Sequence, residues 1–145
     1  MNRYTQKSRQ RGASVIEGAL VLLLLFTLIF TIIEAGRMFN VQNVVTNAAR
    51  EGARYAVVPN TGTSTLQPDA DIRTRVTAFM QSSSIEGATI TINDGAGIAT
   101  PVVINGIEFT KVQVSVPYSF LSLPLLGNIS LNIRGTSLMR NETSP

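Results

Sequence analysis

The longest apolar stretch of the chain covers residues 18–33, contains no charged side chain, and is bounded by Glu17 and Glu34. Counted from Ala13, the segment offers 21 mainly apolar positions with Glu17 as the one carboxylate. A membrane-spanning helix needs roughly 20 such residues. The pattern therefore predicts a membrane span with an acidic residue near its entrance.

A helical pattern continues beyond the span, and no proline interrupts it up to residue 58. Apolar or small residues recur at steps of three and four, which places them on one helical face: Met38, Val41, Val45, Ala48, Gly52 and Tyr55. The opposite face is polar and carries Asn40, Asn43, Asn47, Arg50 and Arg54. We therefore expect a transmembrane helix over residues 13–36 that continues as an amphipathic stem over residues 37–58.

Small residues recur every four positions on this stem, at Ala48, Gly52 and Ala56. Such a row allows two backbones to approach closely. The partner of the row is either the chain's own domain or another subunit, and the pattern leaves both open.

Pro59 ends the stem, and Pro68 followed by Asp69 and Asp71 is typical of the first turn of a second helix. Proline is tolerated there, and acidic side chains are favourable at the positive end of the helix dipole. One face of this helix is apolar, with Ile72, Val76, Phe79 and Met80. We expect it to end near residues 82–84.

The remainder alternates apolar and polar residues, which indicates β-strands. We expect strands over residues 88–93, 102–104, 107–117 and 129–139, and an apolar loop over residues 119–127. Asn105 and Gly106 form a strong hairpin signal between the second and third strands. The fold class predicted is α+β and membrane-anchored, with one long N-terminal helix, a second short helix and a small antiparallel sheet.

The composition excludes much catalytic chemistry. The chain has no cysteine and no histidine, which removes disulfides, thiolate metal sites and the commonest general base. Glu86, Asp94 and Glu108 fit solvated loop acids better than a metal site, because their spacing matches no ligand pattern. We expect no enzyme activity, no catalytic or metal-binding residue, no cofactor and no small-molecule substrate.

Charge is distributed unevenly around the span. Four basic residues and no acid precede it, whereas eight basic and nine acidic residues follow from residue 13 onward. Basic flanks of membrane segments stay in the cytoplasm, so the basic residues indicate topology rather than nucleic-acid binding. We expect a disordered basic cytoplasmic leader over residues 1–12, a single pass through the membrane, an extracytoplasmic α+β domain over residues 59–140, and a polar tail over residues 141–145.

The junction between leader and span has a further pattern. The leader ends at Gly12, and Glu17 follows Ala13 by four residues. This G-x-x-x-x-E arrangement resembles the processing site of type IV pilins and pseudopilins. The resemblance implies cleavage after Gly12 by a prepilin peptidase, which makes Ala13 the new N-terminus. Without the motif, Glu17 is equally consistent with a carboxylate at the headgroup level in the first helical turn.

Residues 11–58 resemble the N-terminal signature of TadE-like proteins, the pseudopilins of tight-adherence (Flp-type) pilus systems. The E-A-G-R turn at residues 34–37 and the N-A-A-R-E-G-A-R-Y-A block at residues 47–56 carry most of the likeness. A strand with the following leucine-rich loop over residues 111–127, and a strand ending at residues 139–140, add to it. The resemblance implies a pilin-like fold and a role in assembly of a Flp-type pilus or a related secretion apparatus.

The implied mechanism is lateral packing of the N-terminal helix with other pilin or pseudopilin subunits. Glu17 would provide the charge contact. The apolar packing surface would comprise Leu20, Leu23, Leu24, Phe26, Ile29, Phe30 and Ile33. Candidate polar contacts of the stem, which fit a solvated helix face equally well, are Glu34, Arg37, Arg50, Glu51 and Arg54. A rival interpretation is an uncleaved signal-anchored envelope protein whose extracytoplasmic domain binds a ligand.

Overall fold

The computed structural model describes residues 4–60, 65–120 and 130–142, with side chains described from residue 12 onward. By its internal contacts the chain divides into two units, Met1–Arg37 and Met38–Pro145. The boundary between the units falls inside the first helix.

The first helix, α1, covers Tyr4–Val57 and is 54 residues long. It begins nine residues before Ala13, so the expectation of a disordered leader is wrong from Tyr4 onward. The physical reason is that this part of the leader has no proline and is rich in Gln, Lys and Arg. These residues have high helix propensity, so the helix extends backward from the span.

One helix in the described part of the chain is long and apolar enough to cross a membrane. It is the Gly12–Val57 part of α1, whose most apolar window has a mean hydropathy of 2.6. None of that window is buried within the protein. A fully exposed apolar helix needs an apolar environment, which indicates single-pass membrane anchoring.

The second unit is built on the stem part of α1 and a second helix, α2, over Asp69–Ser82. Both helices bury one face. The stem face comprises Val45, Ala48, Ala49, Ala53, Ala56 and Val57, and the α2 face comprises Ile72, Val76 and Met80. Asp69 and Asp71 occupy the first turn of α2, as the sequence indicates.

Four antiparallel strands form the sheet of this unit: β1 (Thr89–Ile92), β2 (Val102–Ile104), β3 (Ile107–Ser119) and β4 (Ser130–Arg140). β3 lies at the centre, with β1 and β2 paired along it in succession and β4 also paired with it. The predicted fold class, with two helices and a small antiparallel sheet, is confirmed. The predicted loop over residues 119–127 lies outside the described residues, apart from Ser119 and Phe120.

Alternation along β3 and β4 separates the two faces of the sheet. Val112, Val114 and Val116 are buried on the side that faces the helices, together with Ile133. The other side is at least partly open to solvent, for example at Lys111. The helices therefore cover one face of a single-layer sheet.

Residues with positive φ shape two of the turns. Asn105 and Gly106 have φ values of 53° and 79°, as a two-residue hairpin with the favoured twist requires. Asn93, with φ of 45°, accepts a hydrogen bond from Lys111 N at 2.7 Å and donates one to Gly97 O at 2.9 Å. The Asn93 side chain thereby fixes the turn after β1 to the central strand.

Close packing between α1 and the rest of its unit depends on glycine at two positions. A Cβ added at Gly52 would lie 2.5 Å from Val76 Cγ2 and 3.1 Å from Val112 Cγ1. A Cβ added at Gly135 would lie 2.7 Å from the Val45 carbonyl oxygen. The small-residue row of the stem therefore packs against the chain's own domain, which is the first of the two alternatives.

Candidate functional site

The predicted processing residues lie together on the exposed surface of α1. Gly12, Ala13 and Glu17 are all exposed, and a Cβ added at Gly12 would meet no other group within 4 Å. Ala13 and Glu17 are four residues apart, so they lie one turn apart on the same helical face, with a rise of roughly 6 Å between them. The backbone at the predicted cleavage point is therefore accessible within this chain.

Glu17 stands apart from the other acids of α1. Among the side chains described from residue 12 onward, none forms a hydrogen bond or ion pair with Glu17. Glu34 and Glu51, by contrast, both form ion pairs with arginine. A carboxylate in an apolar segment is costly unless a partner compensates its charge. Glu17 is therefore the acidic group of this helix that most needs a partner.

The predicted packing residues of the span are all exposed, with exposed fractions from 41% for Ile29 to 71% for Leu24. At 3.6 residues per turn they cover roughly 220° of the helix circumference, and Val21, Leu25 and Leu28, which are also exposed, complete the ring. The residues that line a shallow groove along the helix are Leu20, Leu23, Leu24, Thr27, Leu28 and Thr31. Lipid or neighbouring helices must cover this surface.

The two polar side chains of the apolar stretch over residues 18–33, Thr27 and Thr31, are satisfied within the helix. Thr27 Oγ1 donates to Leu23 O at 2.8 Å, and Thr31 Oγ1 donates to Thr27 O at 2.8 Å. Hydroxyls that bond to the carbonyl one turn earlier leave no unpaired donor in the lipid. The apolar surface can therefore contact lipid or another helix without a polar penalty.

Glu34 and Arg37 form an ion pair at the end of the apolar stretch. Arg37 Nη1 lies 3.1 Å from Glu34 Oε2, and it donates hydrogen bonds to both carboxylate oxygens. Glu34 is only 7% exposed. The predicted pairing along the helix is therefore present, and it neutralises the acid where the apolar segment ends.

Glu51 joins the stem to α2. Arg54 Nε and Nη2 donate to the two Glu51 carboxylate oxygens, both at 3.1 Å. Arg75 of α2 donates to Glu51 Oε1 from Nε at 3.1 Å and from Nη2 at 2.9 Å. Hydrogen bonds from Arg54 and Arg75 hold the pKa of Glu51 below its ordinary value. The same carboxylate raises the pKa of Arg54.

Arg75 is the residue that sequence reasoning missed. Its side chain is 56% exposed, and along the sequence it resembles any solvated arginine on a helix. Its partner lies 24 positions away, so neither helical spacing nor hydropathy contains a signal for the pair. Arg50, which was grouped with Glu51 and Arg54, is exposed on the stem and does not take part in this cluster.

The site can provide charge pairing and apolar packing. Among the described residues, no group of three His, Cys, Asp or Glu residues is placed to hold a metal ion. Of the loop acids considered for chemistry, Asp94 pairs with Lys111 Nζ at 2.7 Å, and Glu86 is exposed.

Fold and site together define a class of protein with a single-pass anchor helix whose stem packs on a small α+β domain. The family model described as TadE-like protein matches residues 12–54. The resemblance to the TadE-like family is thus confirmed over Gly12, the span and the Glu51–Arg54 turn. This match indicates a protein associated with a tight-adherence (Flp-type) pilus. No curated protein and no solved structure matches the chain.

Proposed function

We propose that the chain is a minor pseudopilin that a prepilin peptidase cleaves after Gly12, and that it then packs through its N-terminal helix against other pilin or pseudopilin subunits. The observation that carries the proposal is Glu17. This acid follows Gly12 by five positions, is exposed, and has no partner among the described side chains. A role in assembly of a Flp-type pilus or a related secretion apparatus follows.

The proposed topology places the leader in the cytoplasm and the second unit in the periplasm. The support is the basic leader, which has no acidic residue before Glu17. Positive charge retains the N-terminus on the cytoplasmic side of the inner membrane. The peptide bond after Gly12 then lies at the cytoplasmic edge of the span, where a membrane-embedded peptidase can reach it.

Glycine suits this cleavage position for a physical reason. The bond between Gly12 and Ala13 lies within α1, so the helix must open locally before a peptidase can act on it. Glycine inside a helix is less stable than alanine by roughly 0.5–1 kcal/mol, which lowers the cost of opening. Outside its own helix backbone, nothing lies within 4 Å of the position that a Cβ at Gly12 would occupy, so the chain at this position is open to an approaching peptidase.

Cleavage changes the electrostatics of the helix end. It creates an ammonium group on Ala13, one helical turn from the carboxylate of Glu17. Both charges are costly in an apolar environment, and pairing between subunits relieves the cost of each. A shift of one helical turn, about 5.4 Å, would separate the charges, so the pair sets the register between neighbouring helices.

Apolar packing supplies the remaining contact area. All seven predicted packing side chains of the span are exposed, among them Phe26, Phe30 and Ile33. Lipid tails are as apolar as leucine, so helices associate in a bilayer through close packing and polar contacts rather than the hydrophobic effect. The charge pair at Glu17 therefore determines which helices associate and in which register, and the apolar side chains then pack in that register.

The stem contributes mainly to the subunit's own fold under this proposal. Glu51 is paired with Arg54 and Arg75 within the chain, so neither Glu51 nor Arg54 needs a second subunit. Arg50 is the exposed cation of the stem that is left for an intersubunit contact. Glu34 and Arg37 compensate one another at the membrane exit.

The mature N-terminus tests the processing step. Mass spectrometry of protein purified from membranes that contain an active prepilin peptidase should find a chain that begins at Ala13. Gly12→Leu should leave the leader attached, whereas the matched control Gly18→Leu, also on the exposed helix surface, should be processed. An intact chain that begins at Met1 in those membranes would instead favour an uncleaved signal-anchored protein.

The role of Glu17 is tested by crosslinking and copurification with pilin subunits. Glu17→Ala should insert into the membrane as before and lose most of the copurified subunit. Glu34→Gln is the control, because Glu34 is already paired within its own helix and should retain copurification. Normal pilus assembly with Glu17→Ala would show that the acid does not form the intersubunit contact, even if cleavage takes place.

A further inference from the structure

Large apolar side chains are exposed at one end of the second unit. Phe39 on the stem is 63% exposed, and Leu131 at the start of β4 is 49% exposed. Leu131 belongs to the helix-facing side of the sheet, two residues before the buried Ile133, yet the helices do not cover it. Phe39 and Leu131 are named the proximal surface below.

Contacts between α1 and β4 place both residues at the same end of the unit. Gln42 Nε2 donates to Arg134 O at 3.2 Å, and a Cβ at Gly135 would lie 2.8 Å from Thr46 Cα. The stem of α1 and the strand β4 therefore run in the same direction where they pack together. Phe39 lies three residues before Gln42 on α1, and Leu131 lies three residues before Arg134 on β4.

This end of the unit is close to the membrane along the chain. Phe39 follows Ile33, the last apolar residue of the span, by six positions. Six residues of helix rise about 9 Å, and even a fully extended segment would reach only about 20 Å. With the span in a bilayer up to Ile33, Phe39 would lie within or just above the headgroup layer, close to the depth at which interfacial helices bury Phe and Leu side chains.

The charge pattern at this end also suits a lipid surface. No acidic residue occurs between Glu34 and Glu51, or between Glu108 and Glu142. Residues 112–133 carry no charge of either sign, and the next charged residue is Arg134, whose side chain is exposed. An apolar, acid-free surface with Arg134 as a flanking cation complements anionic headgroups and the acyl boundary below them.

We propose that the proximal surface rests on the outer face of the bilayer from which α1 emerges, with Phe39 and Leu131 inserted among the headgroups. The second unit would then contact lipid directly in addition to being tethered by its helix. The proposal requires the span to cross a membrane. It does not require cleavage after Gly12. A failure to find Ala13 as the mature N-terminus would therefore leave the proposed lipid contact standing, and an absence of lipid contact would leave the proposed cleavage standing.

The chain offers a clean fluorescence test because it contains no tryptophan. Full-length protein with Leu131→Trp is reconstituted at low protein-to-lipid ratio in vesicles of phosphatidylethanolamine and phosphatidylglycerol, with and without brominated acyl chains. The matched control is Leu138→Trp, which lies on the same strand and is 42% exposed in the native protein. Phe39→Trp serves as the positive reference.

Quenching by brominated lipid should be about twofold stronger at position 131 than at position 138, because seven strand residues separate the two positions by roughly 23 Å. Equal quenching at the two positions, with strong quenching at position 39, would overturn the proposal. Quenching at position 131 that decreases as the protein-to-lipid ratio rises would also overturn the proposal, because it would show that a second copy of the chain covers the surface.

A second label guards against disturbance by tryptophan. The chain has no cysteine, so Leu131→Cys and Leu138→Cys can each carry one nitroxide. Oxygen, which partitions into lipid, should relax the label at position 131 more than a water-soluble nickel complex does, and the order should reverse at position 138. The same accessibility at both positions would contradict lipid contact.

Discussion

Replacing Gly135 by alanine tests the packing of the stem helix on the sheet most directly. The added methyl group would lie 2.7 Å from Val45 O and 2.8 Å from both Thr46 N and Thr46 Cα. These are backbone atoms of α1, so no rotation of a side chain can move them away. Favourable contacts between carbon atoms lie at about 3.5–4.0 Å. The helix and β4 must therefore separate by roughly 0.7 Å or more.

The expected cost follows from this separation. Overpacking a close-packed interior costs typically 1–3 kcal/mol, and a clash with backbone belongs at the upper end of that range. Moving α1 also loosens its contacts with Val112 and Ile133, which lie in the same buried cluster. We expect Gly135→Ala to lower the free energy of unfolding of the second unit by about 2–3 kcal/mol, or Tm by about 10–15 °C.

Urea unfolding of the full chain in mild detergent, followed by tyrosine fluorescence, measures this loss. Two of the three tyrosines, Tyr55 and Tyr118, belong to or pack against the buried cluster, so the signal reports the second unit. Gly36→Ala is the matched control because a Cβ at Gly36 meets nothing within 4 Å. A Gly135→Ala protein within about 0.5 kcal/mol of the native protein would refute the close approach of helix and strand.

Two further predictions concern polar groups. The pKa of Glu51 is lowered from its ordinary value of 4.5 by Arg54 and Arg75, so its ion pairs stabilise the folded unit above that pH, and the contribution disappears as pH falls through the lowered pKa. Urea midpoints between pH 7 and pH 3 should show this loss, at most about 1 kcal/mol because the cluster is solvent-screened. Thr110→Val should cost about 1–3 kcal/mol, measured in the same way at pH 7, because the Thr110 hydroxyl donates to the buried Asn141 Oδ1 at 2.7 Å.

Each of these predictions has a control. Glu51→Gln should remove the pH-dependent component between pH 7 and pH 3, and an unchanged pH profile in this variant would mean that another acid is responsible. Thr136→Val alters an exposed strand position and should change stability by no more than about 0.5 kcal/mol. If Thr110→Val were equally mild, the hydrogen bond between Thr110 and Asn141 would contribute little.

Local patterns in the sequence were sufficient for most of the fold. The membrane span follows from composition over residues 13–33, because a mainly apolar helix of that length with a single carboxylate is suited to a bilayer. The β2–β3 hairpin follows from Asn105 and Gly106, since few residues adopt positive φ readily. The family resemblance also follows from local sequence alone. The residues that carry it are the G-x-x-x-x-E motif over residues 12–17 and the block over residues 47–56.

The start of α1 illustrates where local patterns fall short. Residues 4–12 can form either a disordered basic leader or the first turns of a helix, and their composition favours a disordered leader. The helix continues through them because propagation from an existing helix adds one hydrogen bond per residue without a new nucleation step. Helix ends are set by this cooperativity as much as by the residues that form them.

Three properties were determined only by the tertiary structure. The spacing of Ala48, Gly52 and Ala56 predicts close packing but cannot identify the partner, which the contacts of Gly52 with Val76 and Val112 supply. The pairing of Glu51 with Arg75 and the exposed apolar end at Leu131 likewise depend on how helices and strands pack. Sequence periodicity records which face of an element is apolar, whereas contacts between distant residues depend on where separate elements meet in space.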